Sequence, residues 1–321
     1  MKKVLFATTA LVATAGVAAA DVTFGGYGRF GVMYNDIDGG GDSTDVTSRF
    51  RLQIDATAES DMGVTFGARA RIQQNNTDDS PTYSVGPDGI AGTADDVNGA
   101  TGPGGTGING VRFFARSGGL EVGVGNIYGA LEFMPGMYPI DLGLTGLGYD
   151  YTAFNDRGDQ YSSGGNGAAG SNGVEVLYSF GDFSMHVSAS DINDRVAAYG
   201  AYTWSGWTIA LGAQDSDAAT DTDWAASVGG ALGFADVTLT YADNGTGGDR
   251  AVLAGRFDVG AATDVEVFVA DNSDATDGSA NGTAYGVDFN HDLGGGTSLR
   301  GGVVSRYNDD VRADLGVRFN F

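Results

Sequence analysis

Apolar and polar residues alternate strictly along most of this chain, in segments of about ten residues separated by glycine, aspartate and serine. The first segment is Val22–Asn35, with Phe24, Phe30, Val32 and Tyr34 on one face. Arg49–Glu59 follows with Phe50, Leu52, Ile54, Ala56 and Ala58, and Val64–Gln74 with Val64, Phe66, Ala68, Ala70 and Ile72. The pattern recurs in Val111–Arg116, Leu120–Gly125, Val174–Phe180, Phe183–Ser190, Val196–Trp204, Trp207–Gln214 and Trp224–Leu232. It continues through Val237–Ala242, Arg250–Val259, Asp264–Ala270, Thr283–Asp292, Leu299–Tyr307 and Val311–Phe321. A period of two marks a strand whose two faces meet different surroundings. Sixteen strands are therefore predicted. Only in Val196–Trp204 does the pattern leave open which face is which.

The connections alternate as well. One set is short and built of turn residues: Ser60–Gly63, Ser117–Gly119, Gly181–Asp182, Ser205–Gly206, Gly233–Asp236, Gly260–Thr263 and Gly294–Gly296. The other is mostly longer, polar and acidic: Asp36–Ser48, Asn75–Gly110, Asn126–Gly173, Ser216–Asp223, Asp243–Asp249 and Asp271–Gly282. Short turns on one rim and long loops on the other predict an antiparallel transmembrane β-barrel with its loops outside the cell. An even strand count puts both chain ends on the periplasmic side. The last strand, alternating up to Phe321, then pairs with the first and leaves no open edge.

The contents of the two faces separate this barrel from a soluble β-sandwich. One face is Val, Ile, Leu, Phe and Ala, with Tyr34, Trp204, Trp207, Trp224, Tyr241 and Tyr307 near strand ends, as in interfacial girdles. The other is polar or glycine and carries most of the arginines. A sandwich would bury the apolar face and turn its arginines out to water. A barrel of this size keeps a wet interior, so the polar face can point inward. A water-filled pore for small hydrophilic solutes is the expected function.

Composition sharpens the picture at three points. Lys2 and Lys3 precede the apolar stretch Val4–Val17 and the small residues Ala18, Ala19 and Ala20, so residues 1–20 read as a secretory signal and 21–321 as the barrel domain. Losing the only two lysines takes the net charge from −24 to −26, which argues against nucleic acid as a partner. The chain contains no cysteine, which excludes a disulfide scaffold and a thiol nucleophile.

Asn126–Gly173 is the longest connection, and it carries Tyr128, Phe133, Met134, Tyr138, Ile140, Leu142, Leu144, Tyr149, Tyr151 and Phe154. Such apolar content suits a loop folded into the lumen with its aromatics against the wall. Its carboxylates Glu132, Asp141, Asp150, Asp156 and Asp159 would then face the channel. Opposite them the early strands offer Arg29, Arg49, Arg51, Arg69, Arg71, Arg112 and Arg116. Opposed charges in a narrow, poorly screened space set up a transverse field that admits polar solutes and disfavours apolar ones. The acidic total favours cations at the mouth and the lumen arginines oppose this, so a weak cation preference is expected.

The opening Val22-Thr23-Phe24-Gly25-Gly26-Tyr27-Gly28-Arg29, the Arg49-Phe50-Arg51 strand, the loop after the fifth strand and the terminal Arg318-Phe319-Asn320-Phe321 resemble the Rhodobacter-type general-diffusion porins of Gram-negative bacteria. The family's inner loop often contains Pro-Glu-Phe-Gly-Gly. Leu131-Glu132-Phe133-Met134-Pro135-Gly136 keeps only the Glu-Phe core, and Glu132 is carried over as a constriction carboxylate on that match. The resemblance implies passive diffusion, homotrimers and an outer membrane with its lipids and lipopolysaccharide around them.

Other chemistry is thinner. Asp88, Asp95 and Asp96 lie among glycines and suit Ca²⁺, though without EF-hand spacing, and plain acidic turn residues are the alternative. No cofactor is required. His186 and His291 are the only histidines, on different strands and without partners spaced for a transition metal. An outer-membrane phospholipase is the enzymatic alternative. A substrate-specific channel is a third reading, and the few inward aromatics of the strands, Tyr27 and Phe114, favour a general pore.

Overall fold

The structure is a computed structural model that describes residues 20–77, 83–84, 97–98, 107–154, 161–163 and 170–321. The sequence-predicted signal, residues 1–20, lies outside these apart from Ala20. The barrel strands are β1 Asp21–Asp36, β2 Asp42–Glu59, β3 Thr65–Thr77, β4 Arg112–Ser117, β5 Leu120–Asn126, β6 Asn172–Phe180, β7 Phe183–Ser190 and β8 Val196–Trp204. They continue with β9 Trp207–Asp215, β10 Asp223–Ala231, β11 Asp236–Asp243, β12 Asp249–Gly260, β13 Thr263–Ser273, β14 Gly282–Gly294, β15 Thr297–Ser305 and β16 Val311–Asn320. Each pairs antiparallel with the next, and β16 returns to β1, closing a sixteen-stranded barrel. Short strand fragments at Gly107–Ile108, paired with β3, and at Tyr83–Ser84 with Val97–Asn98 belong to the second long connection.

Closure uses the C-terminal strand as expected. Register runs from Tyr27↔Asn320 to Asp36↔Val311. The backbone of Phe321 extends it, exchanging hydrogen bonds of 3.0 and 3.1 Å with Gly26. Its ring stacks on Phe50 with centroids 5.6 Å apart. No strand edge is left at the seam, so no backbone polar group there needs water.

The apolar face points outward. Phe24, Phe30, Phe50, Phe66, Phe113, Val124, Ile209, Leu211, Leu253 and Leu315 are all exposed, a belt that only a hydrocarbon surrounding would stabilise. The face left open in β8 is also settled. Val196, Tyr202 and Trp204 are exposed, whereas Ala197 and Ala201 are buried inside.

One connection is shorter than the pattern suggests. Asp42–Ser48 reads as loop but extends β2, so the link to β1 is a tight turn in which the Ile37 amide donates to the Gly41 carbonyl at 3.4 Å and the Gly40 amide to the Ile37 carbonyl at 2.8 Å. Alternation reports a strand only where its faces differ. Beyond the apolar belt both faces are wet, and Asp42–Ser48 is polar apart from the exposed Val46 for that reason.

At the same rim the carboxylate of Asp310 accepts the backbone amide of Asp38 at 3.0 Å and the side-chain amide of Asn308 at 2.9 Å. These hydrogen bonds favour the charged form and hold its carboxyl below the usual carboxylate range. A depressed folded-state value means that the latch is fully present above the ordinary carboxylate pKa, near 3.8, and is lost as pH falls through the folded value. The Asp38 amide resonance should therefore shift only in acid below about pH 4. Asp310→Asn should abolish that titration.

Candidate functional site

From residue 127 the long connection turns inward and sweeps round the inner wall, bonding to successive strands as it goes. The amide of Tyr128 donates to Glu175 of β6 at 3.0 Å, and that of Ala130 to Ser188 of β7 at 2.9 Å. Ser227 of β10 donates to the carbonyl of Pro135 at 2.5 Å, and Thr240 of β11 to that of Gly136 at 2.9 Å. The amide of Asp141 reaches Glu266 of β13 at 2.9 Å, and that of Gly143 reaches Asp288 of β14 at 2.6 Å. Those of Leu144 and Thr145 reach Asp314 of β16 at 2.9 and 2.8 Å. Arg29 of β1 completes the arc by donating to the carbonyl of Leu144 at 2.6 Å. Backbone groups that a loop inside a barrel would otherwise leave unpaired are thus satisfied by the wall.

Apolar packing fills the same interface. Leu131, Met134, Met137, Ile140, Leu142, Leu147, Tyr151 and Phe154 from the loop share one buried cluster with Ala197, Ala201, Ala210, Ala225, Ala242, Ala254, Ala270 and Ala284 of the wall. Full burial of each large side chain contributes about 1.5–3 kcal/mol. The alanines leave room for it. Beneath the loop the inner face of β8–β14 is built largely of alanines, with Ser227, Thr240, Glu266 and Asp288 set among them as hydrogen-bond partners. The wet, charged face lies opposite, on β1–β3.

The loop returns through Asp150, which forms a two-pronged ion pair with Arg306 at 2.7 and 2.8 Å. Asp150 holds the Arg306 guanidinium in its charged form, raising its pKa above the ordinary arginine value. Asn244 then donates to the carbonyl of Ala153 at 3.1 Å, and the hydroxyl of Ser163 accepts from Arg71 of β3 at 2.7 Å.

Between loop and basic wall lies a cavity of about 1040 Å³. Arg49, Arg51 and Arg71 line one side, and Glu132, Phe133, Tyr138, Tyr149 and Asp150 the other. Glu132 accepts the Tyr138 hydroxyl at 2.7 Å. Asp141 is 52 % exposed and is bonded to Arg300 at 2.5 Å and Arg318 at 3.2 Å.

Not every residue expected at the narrowing is there. Arg112 is 1 % exposed, sealed in the wall between Glu175 at 2.5 Å and Glu121 at 2.7 Å, with the Tyr128 ring 4.0 Å from its guanidinium. It supports the root of the loop and presents no charge to the channel. Arg116 adjoins the short turn after Ser117, its guanidinium 5.4 Å from the Phe114 ring. Arg69 is neutralised by Asp55 at 2.6 Å. Asp150 lines the cavity, but its charge is spent on Arg306 and not freely presented. Asp156 and Asp159, and the calcium candidates Asp88, Asp95 and Asp96, lie outside the described residues. Among the described residues no group of three His, Asp or Glu could hold a metal ion.

The sequence reading missed Arg250 and Arg306, which also line the cavity. It also missed the anchors Glu175, Glu266, Asp288 and Asp314. The available signal was an acid at an inward position in the middle of a strand. A lumen wall tolerates such an acid anywhere, so position alone does not single out the ones that hold a loop.

A family model described as Gram-negative porin matches residues 7–311. The chain belongs to the Gram-negative porin family. A porin of Fuscovulum blasticum is 32 % identical over 94 % of this chain and 100 % of its own. A porin of Rhodobacter capsulatus is 28 % identical with the same coverage. The solved structure of a triple mutant of the Rhodopseudomonas blastica porin superposes with a TM-score of 0.76 at 26 % identity, covering 94 % of this chain and all of that one. This porin is an outer-membrane channel, passive and not an enzyme, and needs no cofactor.

Proposed function

We propose that solutes cross this porin past a constriction set by Glu132 and Asp141 of the inner loop and Arg49, Arg51 and Arg71 of the wall, sorted by size and polarity. One observation carries the reading: Glu132 and the three arginines line a single lumen cavity, with the loop pinned to the wall behind it. Arg29 braces the loop at the Leu144 carbonyl and Arg69 is paired with Asp55, so both stand behind the basic side, while Arg112 and Arg116 act away from it. We further propose a weak preference for cations, supported by the net charge of −24. We also propose that residues 1–20 are removed after Ala20, immediately before β1 begins at Asp21. Assembly as a homotrimer within outer-membrane lipid and lipopolysaccharide rests on the family likeness.

The experiment is conductance of the purified protein in a planar bilayer. Three equal steps are expected, with a reversal potential in a KCl gradient weakly favouring K⁺. Glu132→Gln with Asp150→Asn should move that potential toward Cl⁻, since it removes one lumen carboxylate and leaves Arg306 unpaired. Single steps of one size would overturn the trimer. An unchanged reversal potential would remove the loop from the constriction, and a clear anion preference in the parent would overturn the cation reading.

A further inference from the structure

Three guanidiniums on the lumen face of β2 and β3, like that of Arg250 on β12, are held at Nε by neutral side-chain amides, whereas Arg69, Arg112, Arg256, Arg300, Arg306 and Arg318 are held by carboxylates. Register places Arg49 opposite Asn75, Arg51 opposite Gln73, Arg71 opposite Gln53 and Arg69 opposite Asp55. The cross-strand partners are also the hydrogen-bond partners. Arg49 Nε donates to Asn75 Oδ1 at 2.6 Å, Arg51 Nε to Gln73 Oε1 at 2.6 Å, and Arg71 Nε to Gln53 Oε1 at 2.9 Å. Arg69 alone has a carboxylate there. Among the described residues Arg49, Arg51 and Arg71 form no ion pair, whereas Arg112, Arg256, Arg300, Arg306 and Arg318 all do.

A neutral amide on Nε fixes the guanidinium plane without cancelling its charge. The terminal nitrogens then remain available. Those of Arg51 have no hydrogen-bond partner among the described residues and are not sealed in the wall. Arg49 spends one on the Tyr27 hydroxyl at 3.3 Å, and Arg71 one on Ser163 at 2.7 Å. Aromatic rings brace the set: Tyr27 lies 5.1 Å from the Arg51 guanidinium and Tyr161 4.6 Å from that of Arg71. The result is three like charges, pre-oriented and uncompensated, on adjacent rungs of one cavity wall. Their mutual repulsion is relieved by an anion. A planar fork favours a ligand with two or more oxygens over a spherical ion.

We infer that Arg49, Arg51 and Arg71 form a binding subsite for a compact multivalent oxyanion at the constriction. The inference rests on the pore reading above. Occupancy would cancel positive charge in the lumen, so it would slow current and at the same time raise the preference for K⁺ over Cl⁻.

Inorganic phosphate is the probe, titrated in the millimolar range onto the full protein conducting KCl in a planar bilayer at neutral pH. Expected are a saturable fall in conductance and a shift of the reversal potential toward K⁺. The double variant Arg51→Lys/Arg71→Lys keeps the charge and loses the fork. Its folding is read from the β-sheet circular dichroism of the detergent-solubilised protein, and it should weaken half-saturation by about tenfold or more. KCl conductance with no saturation overturns the subsite and leaves the pore standing. Equal saturation in the lysine variant also overturns it, because diffuse charge would then suffice. Absence of any conductance in the parent overturns the pore reading itself.

Discussion

Arg112→Leu is expected to be the most destabilising single substitution in the barrel wall. Its guanidinium bridges Glu175 and Glu121 from a position that is 1 % exposed, while the Glu175 side chain is fully buried. Glu175 also holds His186 at 2.8 Å and accepts the amide of Tyr128, the first anchor of the inner loop. Removing the arginine leaves a buried carboxylate with one imidazole and one amide. Breaking such a pair from one side costs about 3–5 kcal/mol, because the surviving charge keeps its desolvation penalty without its partner. Replacing both members, as Arg112→Leu/Glu175→Leu, removes the stranded charge and should recover a large part of that loss. Guanidinium-induced unfolding of the detergent-folded protein gives the comparison. A double variant no more stable than Arg112→Leu would show that the pair's packing, and not the stranded charge, sets the cost. The site leaves little room for compensation. A Cβ on Gly123 would lie 2.6 Å from Glu175 and 2.7 Å from Arg112.

The barrel was legible in the sequence because each strand presents different chemistry to its two sides. Leu253 is exposed and Val252 is buried beside it in β12, and that contrast survives in the letters. The closing role of Phe321 was legible for the same reason. The inner loop was recognisable by its apolar residues, which have no place in a solvated connection. Its seat was not. The alanines of β8–β14 look like the weak apolar face of an ordinary strand, and only the fold shows that they point inward and leave the loop its space. Arg112 shows the matching failure on the polar side. On the strand pattern it is indistinguishable from Arg71, since both are inward arginines. What separates them is what stands within reach: for Arg112 the carboxylates of Glu121 on the adjacent strand and Glu175 one strand further, for Arg71 the neutral amide of Gln53, and that depends on register across segments far apart in the chain.

Register also determines what holds the narrowest segment in place, and there the functional effect should be largest. Asp288 and Asp314 together accept the amides of Gly143, Leu144 and Thr145 and the Thr145 hydroxyl, at 2.6 to 2.9 Å. A buried hydrogen bond to a charged acceptor contributes about 1.5–3 kcal/mol. Asp288→Ala/Asp314→Ala deletes four, leaving amides with no wall partner. The loop will not leave the lumen altogether, because Leu131, Met134 and Met137 remain packed on the alanine face and the Asp150–Arg306 pair remains closed. The segment between those two holds is the one that must move. It carries Asp141, whose bonds to Arg300 and Arg318 also brace the channel. Single-channel conductance should rise, by up to about twofold, with added noise and a larger exclusion limit for neutral polymers. Thermal unfolding should change much less than conductance, since the barrel's own ladder is untouched. Met137→Asp attacks the other hold and should open the channel further, because an unpaired charge cannot stay in a sealed apolar contact. If the double variant conducts like the parent with the same exclusion limit, the wall carboxylates are not what keeps the pore narrow, and the apolar seat alone positions the loop.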